Sequence, residues 1–241
     1  METKKWMKGL PVILFIITGV EIWADLTDKI GLVYLTKPML LLLLVSTVIL
    51  YRKAFVSKAA FTFLLAALTL SLGGDIFLMI RETDLFVPGL ASFLLAHVSY
   101  CFLFWKDIRR NSEGKRDVYT WQYIIVFLLL SFLVILLGVL LPHIAANSET
   151  KPLVIPVTIY AIVITTMGIF ALLRRGINVR SFRLGLIGAL FFIVSDTVLA
   201  LSLFMDIIPY STLWIMSTYV LAQYLITRSA LINTTIPATS N

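Results

Sequence analysis

Charged side chains, cysteine and histidine are all scarce in this sequence. Only 14% of its 241 residues are Asp, Glu, Lys or Arg, whereas 60% are hydrophobic, and so little charge cannot cover the surface of a soluble domain of this length. The single cysteine, Cys101, excludes an intrachain disulfide and a cysteine-based zinc site. Because His97 and His143 are the only imidazoles, no transition-metal site is expected. The composition therefore argues against a soluble protein and against a metalloenzyme.

Long apolar runs occupy the chain instead. Runs of about 20 residues recur, which is the length that crosses a hydrocarbon core roughly 30 Å thick. We therefore predict an all-α, polytopic membrane helix bundle that forms a single transmembrane domain over residues 1–241. Its eight predicted helices lie at about 10–25, 38–52, 59–80, 85–105, 120–142, 152–173, 184–205 and 209–229.

The ends of three predicted helices carry specific signals. The first apolar run lacks a small-residue cleavage site and has Glu21-Ile22-Trp23 where one would be expected, so we predict a helix there and not a signal peptide. The second and sixth helices are predicted to begin at Lys37-Pro38 and Lys151-Pro152, because proline is tolerated in a first helical turn.

The basic residues are distributed unevenly between the two sides of the predicted bundle. All 20 lysines and arginines except Lys29, Lys37, Arg81 and Lys151 fall on one side. By the positive-inside rule that side is the cytoplasm, and both termini are predicted to be cytoplasmic. The net charge of +7 then reflects topology and contact with anionic lipid headgroups of the bilayer, and no nucleic-acid partner is expected. A bacterial inner membrane and the endoplasmic reticulum both fit.

Two pairs of segments suggest an internal repeat of four helices. "TKPMLLLLLV" begins the second predicted helix and "TKPLVIPVTIY" begins the sixth, while "GDIFL" at 74–78 resembles "SDTVL" at 195–199. Such halves would be related by an axis along the membrane normal. Chance similarity among leucine-rich helices is the alternative.

Asp75 and Asp196 are the most informative residues, since each lies inside a predicted membrane helix. A charged carboxylate there costs about 3 kcal/mol even on the most lenient insertion scale, so such residues face the protein interior and usually mark function. Polar side chains of neighbouring helices are expected in the same layer: His97, Tyr100, Tyr160, Tyr219 and Gln223. Singly, each of these could be an interhelical hydrogen bonder.

Two buried carboxyl groups at one level have a defined chemistry. Desolvation and mutual repulsion favour a state in which one is protonated while the other is ionised. The pair can then act as general acid and general base in a hydrolysis. It can equally relay protons in a transporter of a small solute or lipid, and the spacing does not separate these functions.

Five segments resemble successive blocks of the lysoplasmalogenase family, the YhhN-like integral membrane proteins. They are "LGGDIFLMI", "FVPGLASFLLAHVSY", "PVTIYAIVITTMG", "GALFFIVSDTVLAL" and "PYSTLWIMSTYVLAQYLI", within a region from about Lys37 to Ile226. The resemblance implies a membrane hydrolase that cleaves the vinyl-ether bond of lysoplasmalogens to a fatty aldehyde and a glycerophospho-headgroup. It implies no metal or organic cofactor, and it places the family's two aspartates at Asp75 and Asp196.

The resemblance also assigns tasks to the two acids. A neutral carboxylic acid would protonate the β-carbon of the vinyl ether, and the neighbouring carboxylate would stabilise the oxocarbenium ion and orient water. Asp196 is the favoured acid because Phe192, Ile193 and Ala200 shield it on its own face.

The expected substrate is a lysoplasmenyl-choline or -ethanolamine, with its phosphate near Lys37 or Lys151. Both lysines could instead be anchors at helix ends. Roles in binding substrate, positioning water or tuning the acids are expected for His97, Tyr100, Tyr160, Ser195, Tyr219 and Gln223. Besides the transporter, the alternatives are a metal-dependent membrane amidase and a purely structural membrane protein.

Overall fold

Eight α-helices account for nearly all of the described chain, which confirms the predicted all-α fold. The computed structural model describes residues 2–55, 57–80, 85–110, 119–174 and 177–234, and those residues form no β-strand. The helices are α1 (Glu2–Leu26), α2 (Ile30–Leu50), α3 (Lys58–Met79), α4 (Phe86–Arg110), α5 (Thr120–Ala146), α6 (Val154–Leu173), α7 (Val179–Met205) and α8 (Ser211–Thr234). Short 3₁₀ turns at Arg52–Ala54 and Lys151–Leu153 precede α3 and α6.

Seven helices, α1 to α7, are long and apolar enough to cross a membrane, as expected of a multi-pass integral membrane protein. The eighth helix, α8, is equally long but more polar. It packs against α1, α2, α3 and α7, and its polar residues Tyr219, Gln223, Thr227 and Ser229 are buried. Because protein surrounds α8 on several sides, its polar groups face other helices, and its sequence is less apolar than that of a lipid-facing span.

The start of α2 differs from the prediction. The helix begins at Ile30, so Lys37-Pro38 lies inside it and not in its first turn. Residues 27–29 form a tight turn after α1, in which Asp28 has a φ of 54°. In a hydrocarbon environment unpaired backbone groups are costly, and this favours continuing the helix through the apolar segment before Pro38. In contrast, Lys151-Pro152 does lie in a 3₁₀ turn just before α6.

Small residues bring two helix pairs, α3 with α4 and α7 with α8, into close contact. A Cβ atom added at Gly74 would lie 2.5 Å from the Phe93 ring, and one at Gly188 would lie 3.1 Å from the carbonyl oxygen of Ala222. Such close approach is the usual role of glycine between membrane helices. Gly74 immediately precedes Asp75, so the packing that requires the glycine also fixes the position of the carboxylate.

A buried ion pair was not predicted. We expected Arg174 in a basic loop, but its side chain is buried beside α7 and α8. Its Nε donates to Asp107 Oδ2 at 2.9 Å and its Nη1 to Ser229 Oγ at 2.9 Å. Its Nη2 lies 2.7 Å from the same oxygen of Asp107 and donates to Ser181 Oγ at 3.3 Å. These four residues are called the Arg174 cluster below.

The predicted orientation and the four-helix repeat both remain predictions. Several of the basic residues on which the orientation depends lie outside the described residues: Arg81, Lys115, Arg116 and Arg175.

Candidate active site

Two helices, α4 and α6, place polar groups around Asp196 of α7. The hydroxyl of Tyr160, on α6, donates a hydrogen bond to Asp196 Oδ2 at 2.5 Å. The Nε2 atom of His97, on α4, lies 3.5 Å from the same carboxylate oxygen. The imidazole also packs edge-on against Tyr160 and Phe192, with ring centroids 5.2 and 4.6 Å away. Asp196 therefore accepts one hydrogen bond, from Tyr160, and faces the imidazole of His97 in a largely aromatic environment.

The tautomer of His97 follows from its backbone contact. Its Nδ1 lies 2.7 Å from the carbonyl oxygen of Phe93, and a carbonyl can only accept, so Nδ1 carries a proton. A neutral His97 then presents the lone pair of Nε2 to Asp196. Within the described chain Nε2 is buried and has no hydrogen-bond partner. A protonated Asp196 can therefore turn its O–H towards Nε2, and the two groups can hold one proton between them.

A second hydrogen-bonded group surrounds Asp75 of α3, a residue that is only 4% exposed. The hydroxyl of Tyr219, on α8, donates to Asp75 Oδ2 at 2.9 Å. One turn further along α8, Gln223 interacts with Tyr219 and accepts a short hydrogen bond from the hydroxyl of Tyr100 on α4. The Gln223 Nε2 and the hydroxyl of Ser71 are buried without a partner among the described residues.

The predicted polar layer thus consists of two groups, one around each carboxylate. Phe192 packs against both, since its ring contacts His97 in one group and Tyr219 in the other. The two aspartates interact electrostatically. No hydrogen bond joins their carboxylates directly in the part of the chain that the structure describes, so they do not share a proton by direct contact.

Two further predicted site residues have different surroundings. The hydroxyl of Ser195 donates to the carbonyl oxygen of Ile215 at 3.1 Å, so it links α7 to α8 and does not contact either carboxylate. Lys37 is half-buried on α2 and interacts electrostatically with both Asp75 and Glu21 of α1.

Asp196 lines two narrow apolar clefts, of about 60 and 40 Å³. The first lies between α3, α4, α6 and α7 and includes Leu78, Phe93 and Leu203. Leu203 is half exposed, so this cleft reaches the surface of the helix bundle. An alkyl chain could approach the carboxyl group of Asp196 laterally from the bilayer by this route.

A polar cleft of about 240 Å³ lies at the helix ends near the 1–2 and 7–8 connections, and we call it the rim cleft. Its polar lining consists of Glu21, Asp25, Lys37, Ser202, Ser211 and Thr212. Leu199 and Leu203 line both the rim cleft and the first apolar cleft of Asp196, so one stretch of α7 connects the two. A larger apolar cleft of about 530 Å³ runs between α1 and α8 and contains neither aspartate.

Sequence reasoning did not assign Glu21 and Asp25 of α1 to the site. The signal that could have found Glu21 was a carboxylate inside an apolar run, which is the same signal that identified Asp75 and Asp196. No cluster of three or more His, Cys, Asp or Glu side chains that could hold a metal ion occurs in the described ranges.

Comparison with known proteins gives consistent matches. The model of the YhhN family matches residues 32–230. The lysoplasmalogenase TMEM86B of Rattus norvegicus is 33% identical over 184 residues, which cover 76% of this chain and 68% of that protein. The lysoplasmalogenase TMEM86B of Homo sapiens is 34% identical over 146 residues, which cover 61% of this chain and 54% of that protein. No solved structure matches.

Proposed function

The chain belongs to the YhhN family, and we propose that it hydrolyses the vinyl-ether bond of lysoplasmalogens by acid–base catalysis with Asp75 and Asp196. Relatives that carry the name lysoplasmalogenase support the reaction. The observation that carries the catalytic assignment is the arrangement around Asp196. A carboxyl group that is only 12% exposed faces the unpartnered Nε2 of His97 and lines a cleft that reaches the surface of the helix bundle.

The two acids lie at different distances from the ends of their helices. Asp75 lies four residues before the end of α3 and Asp196 nine before the end of α7, or roughly 6 and 14 Å at 1.5 Å per residue. A lysophospholipid whose headgroup lies in the rim cleft would reach Asp196 with the first carbons of its chain, because Leu199 and Leu203 line both the rim cleft and the first apolar cleft of Asp196. The remaining chain would follow the apolar cleft. This order favours Asp196 as the proton donor to the β-carbon.

The proposed steps conserve atoms and protons. Asp196 gives its proton to the β-carbon of the vinyl ether, which leaves an oxocarbenium ion at the α-carbon. The Asp75 carboxylate stabilises that cation and takes a proton from the water that attacks it. The hemiacetal then breaks its bond to the glycerol oxygen, its hydroxyl proton passes to that oxygen, and a fatty aldehyde leaves. Return of one proton to Asp196 and loss of one from Asp75 completes the cycle.

In this mechanism the aromatic and amide side chains act as positioning residues. Tyr160 and Tyr219 each hold one carboxylate oxygen, and His97 can take up the Asp196 proton when the substrate is absent. Gln223 and Tyr100 hold Tyr219 in place. Lys37 would attract the phosphate from its position in the lining of the rim cleft.

The experiment that tests this function compares three lipids with the same headgroup. Purified protein is mixed with a lysoplasmenyl lipid, its saturated alkyl-ether analogue and its acyl analogue, and released aldehyde or fatty acid is measured. We expect aldehyde from the vinyl ether and no cleavage of the other two, because only the vinyl ether accepts a proton on carbon. Release of fatty acid from the acyl lipid, or no aldehyde from the vinyl ether, would contradict the proposal.

The same measurement separates the enzyme from a proton-coupled transporter that uses the same aspartates. A transporter in detergent would release no aldehyde from any of the three lipids. In proteoliposomes it would instead move its solute in response to a pH gradient.

A further inference from the structure

The rim cleft contains a buried acid that the proposed chemistry does not use. Glu21 lines the cleft, is only 1% exposed and leaves its Oε2 atom without a hydrogen-bond partner in the described part of the chain. A buried polar atom of a carboxyl group normally has a partner, because leaving it unpaired is costly. A lining residue whose carboxyl group still lacks a donor is the arrangement expected where a ligand supplies that donor.

The charges that line the rim cleft are of both signs. Glu21 and Asp25 come from α1, and Lys37 comes from the facing part of α2. Lys37 interacts electrostatically with both Glu21 and Asp75. A ligand that carries an anion beside Lys37 and a cation beside Glu21 would complement this arrangement, and the phosphate and amine of a zwitterionic lipid headgroup are such a pair.

The polar groups of the cleft are suited to a cation that donates hydrogen bonds. Besides the carboxylates, the lining offers the hydroxyls of Ser202, Ser211 and Thr212, and Thr212 already donates to Asp25 Oδ2 at 2.5 Å. A quaternary ammonium has no N–H to donate and is usually held by aromatic faces. The described residues that line the rim cleft include no aromatic ring.

We propose that the rim cleft binds the phosphoethanolamine headgroup of the substrate, with Glu21 accepting hydrogen bonds from its primary ammonium and Lys37 facing its phosphate. This assignment rests on the proposed function and extends it to headgroup specificity. Glu21 is then a specificity-determining residue that selects primary-amine over choline headgroups. Glu21 lines the rim cleft and neither Asp75 nor Asp196 does, which leaves the reacting vinyl ether to the two aspartates.

The test measures both hydrolysis and binding across headgroups. Vinyl-ether lysolipids with an ethanolamine, a choline or a bare phosphate headgroup are compared for the wild type, Glu21→Gln and Asp28→Asn. Asp28 is an exposed acid in the nearby turn and serves as the matched control. We expect the wild type to favour ethanolamine over choline in kcat/KM by about tenfold, the usual size of one charge-assisted hydrogen bond.

Glu21→Gln is expected to raise KM for the ethanolamine lipid about tenfold while leaving the bare-phosphate lipid unchanged, and Asp28→Asn should change neither. Equal loss of activity on all three headgroups, or wild-type preference for choline, would overturn the headgroup assignment. If Glu21→Gln does not fold, Glu21→Asp, which keeps the charge on a shorter side chain, should retain the ethanolamine preference in weakened form. A Glu21→Asp protein with no preference for the ethanolamine headgroup would count against the proposal.

Binding of non-hydrolysable alkyl-ether lysolipids makes the two proposals separable. Their affinities, measured for the same proteins, should follow the same headgroup order whether or not the vinyl ether is cleaved. If no vinyl-ether lipid is hydrolysed but ethanolamine lipids still bind more tightly in a Glu21-dependent way, the catalytic function fails and the headgroup site stands. If vinyl-ether lipids are hydrolysed without any headgroup dependence, the catalytic function stands and the headgroup site fails.

Discussion

The Arg174 cluster and the two polar groups around Asp75 and Asp196, together called the carboxylate layer, both bury charge between helices, but they differ in how completely that charge is paired. In the Arg174 cluster every nitrogen of the guanidinium has an acceptor on Asp107, Ser181 or Ser229. In the carboxylate layer His97 Nε2, Gln223 Nε2 and Ser71 Oγ are buried without partners among the described residues. A completed network stabilises a fold, whereas an incomplete one has capacity left for a ligand.

The comparison predicts opposite consequences for mutation in the two regions. Removing one member of a completed ion pair leaves an unpaired buried charge and destabilises the fold. Removing a carboxyl group that is held in an incomplete network costs little stability, because the desolvated group was itself unfavourable. Function and stability should therefore depend on different residues, and each prediction below measures both.

The largest effect on turnover is expected from Asp75→Asn and Asp196→Asn. Each replaces a proton-transfer group by a neutral amide of the same shape, so turnover should fall by roughly 10³-fold or more. The midpoint of thermal unfolding should stay the same or rise, because the desolvated carboxyl group that is removed was itself unfavourable. Aldehyde release and thermal unfolding of the purified protein in detergent measure the two quantities.

Asp206→Asn is the matched control for the two catalytic substitutions. Asp206 is an exposed acid at the end of α7 with a φ of 50°, and asparagine tolerates that left-handed conformation. The control should keep wild-type turnover. Near-normal rates in either catalytic variant would remove that aspartate from the mechanism, and a marked loss of stability would place it with the Arg174 cluster.

The sequence identified the catalytic candidates because charge is rare inside a membrane helix. Asp75, Asp196 and the aromatic and amide residues around them stood out against apolar neighbours, and the structure places His97, Tyr160 and Tyr219 close to the acids. Which tyrosine pairs with which aspartate depends on how α6 and α8 pack. No local pattern encodes that packing, so the division into two groups was not predicted.

The sequence failed where a residue had a stronger local explanation. Arg174 stands next to Arg175 at the end of an apolar run and was assigned to a basic loop, although its side chain turns back to Asp107. Lys37-Pro38 matches a helix start, but the cost of unpaired backbone groups in lipid favours a longer α2. In both cases a tertiary or solvent effect outweighed a valid local signal.

A smaller but still severe effect is expected when the Arg174 cluster is broken. Arg174→Met or Asp107→Asn should each lower the free energy of unfolding by about 3–5 kcal/mol, since the remaining partner keeps a buried unpaired group. Turnover per folded molecule should be unchanged, because the cluster lies at the opposite end of α7 from the carboxylates. Denaturant or thermal unfolding in detergent, with activity normalised to folded protein, checks both expectations.

Two further variants sharpen that prediction. Arg180→Met removes an exposed arginine near the start of α7 and should leave stability within about 0.5 kcal/mol of wild type. The double variant Arg174→Met/Asp107→Asn removes both charges and should recover part of the lost stability. If the double variant is no more stable than the two singles predict by addition, the buried pair is not the source of the effect.

The smallest effect is expected from the tyrosines that hold the carboxylates. Tyr160→Phe and Tyr219→Phe each remove one hydrogen bond to a carboxylate, so each should lower kcat about tenfold. Because the two hydrogen bonds belong to separate groups, the effects on kcat should multiply in the double variant, to about a hundredfold. Tyr123→Phe on α5, whose side chain is exposed to lipid, is the control and should have no effect. A double variant no slower than either single one would mean that both carboxylates act as one coupled unit, and the separation into two groups would then describe the resting structure only.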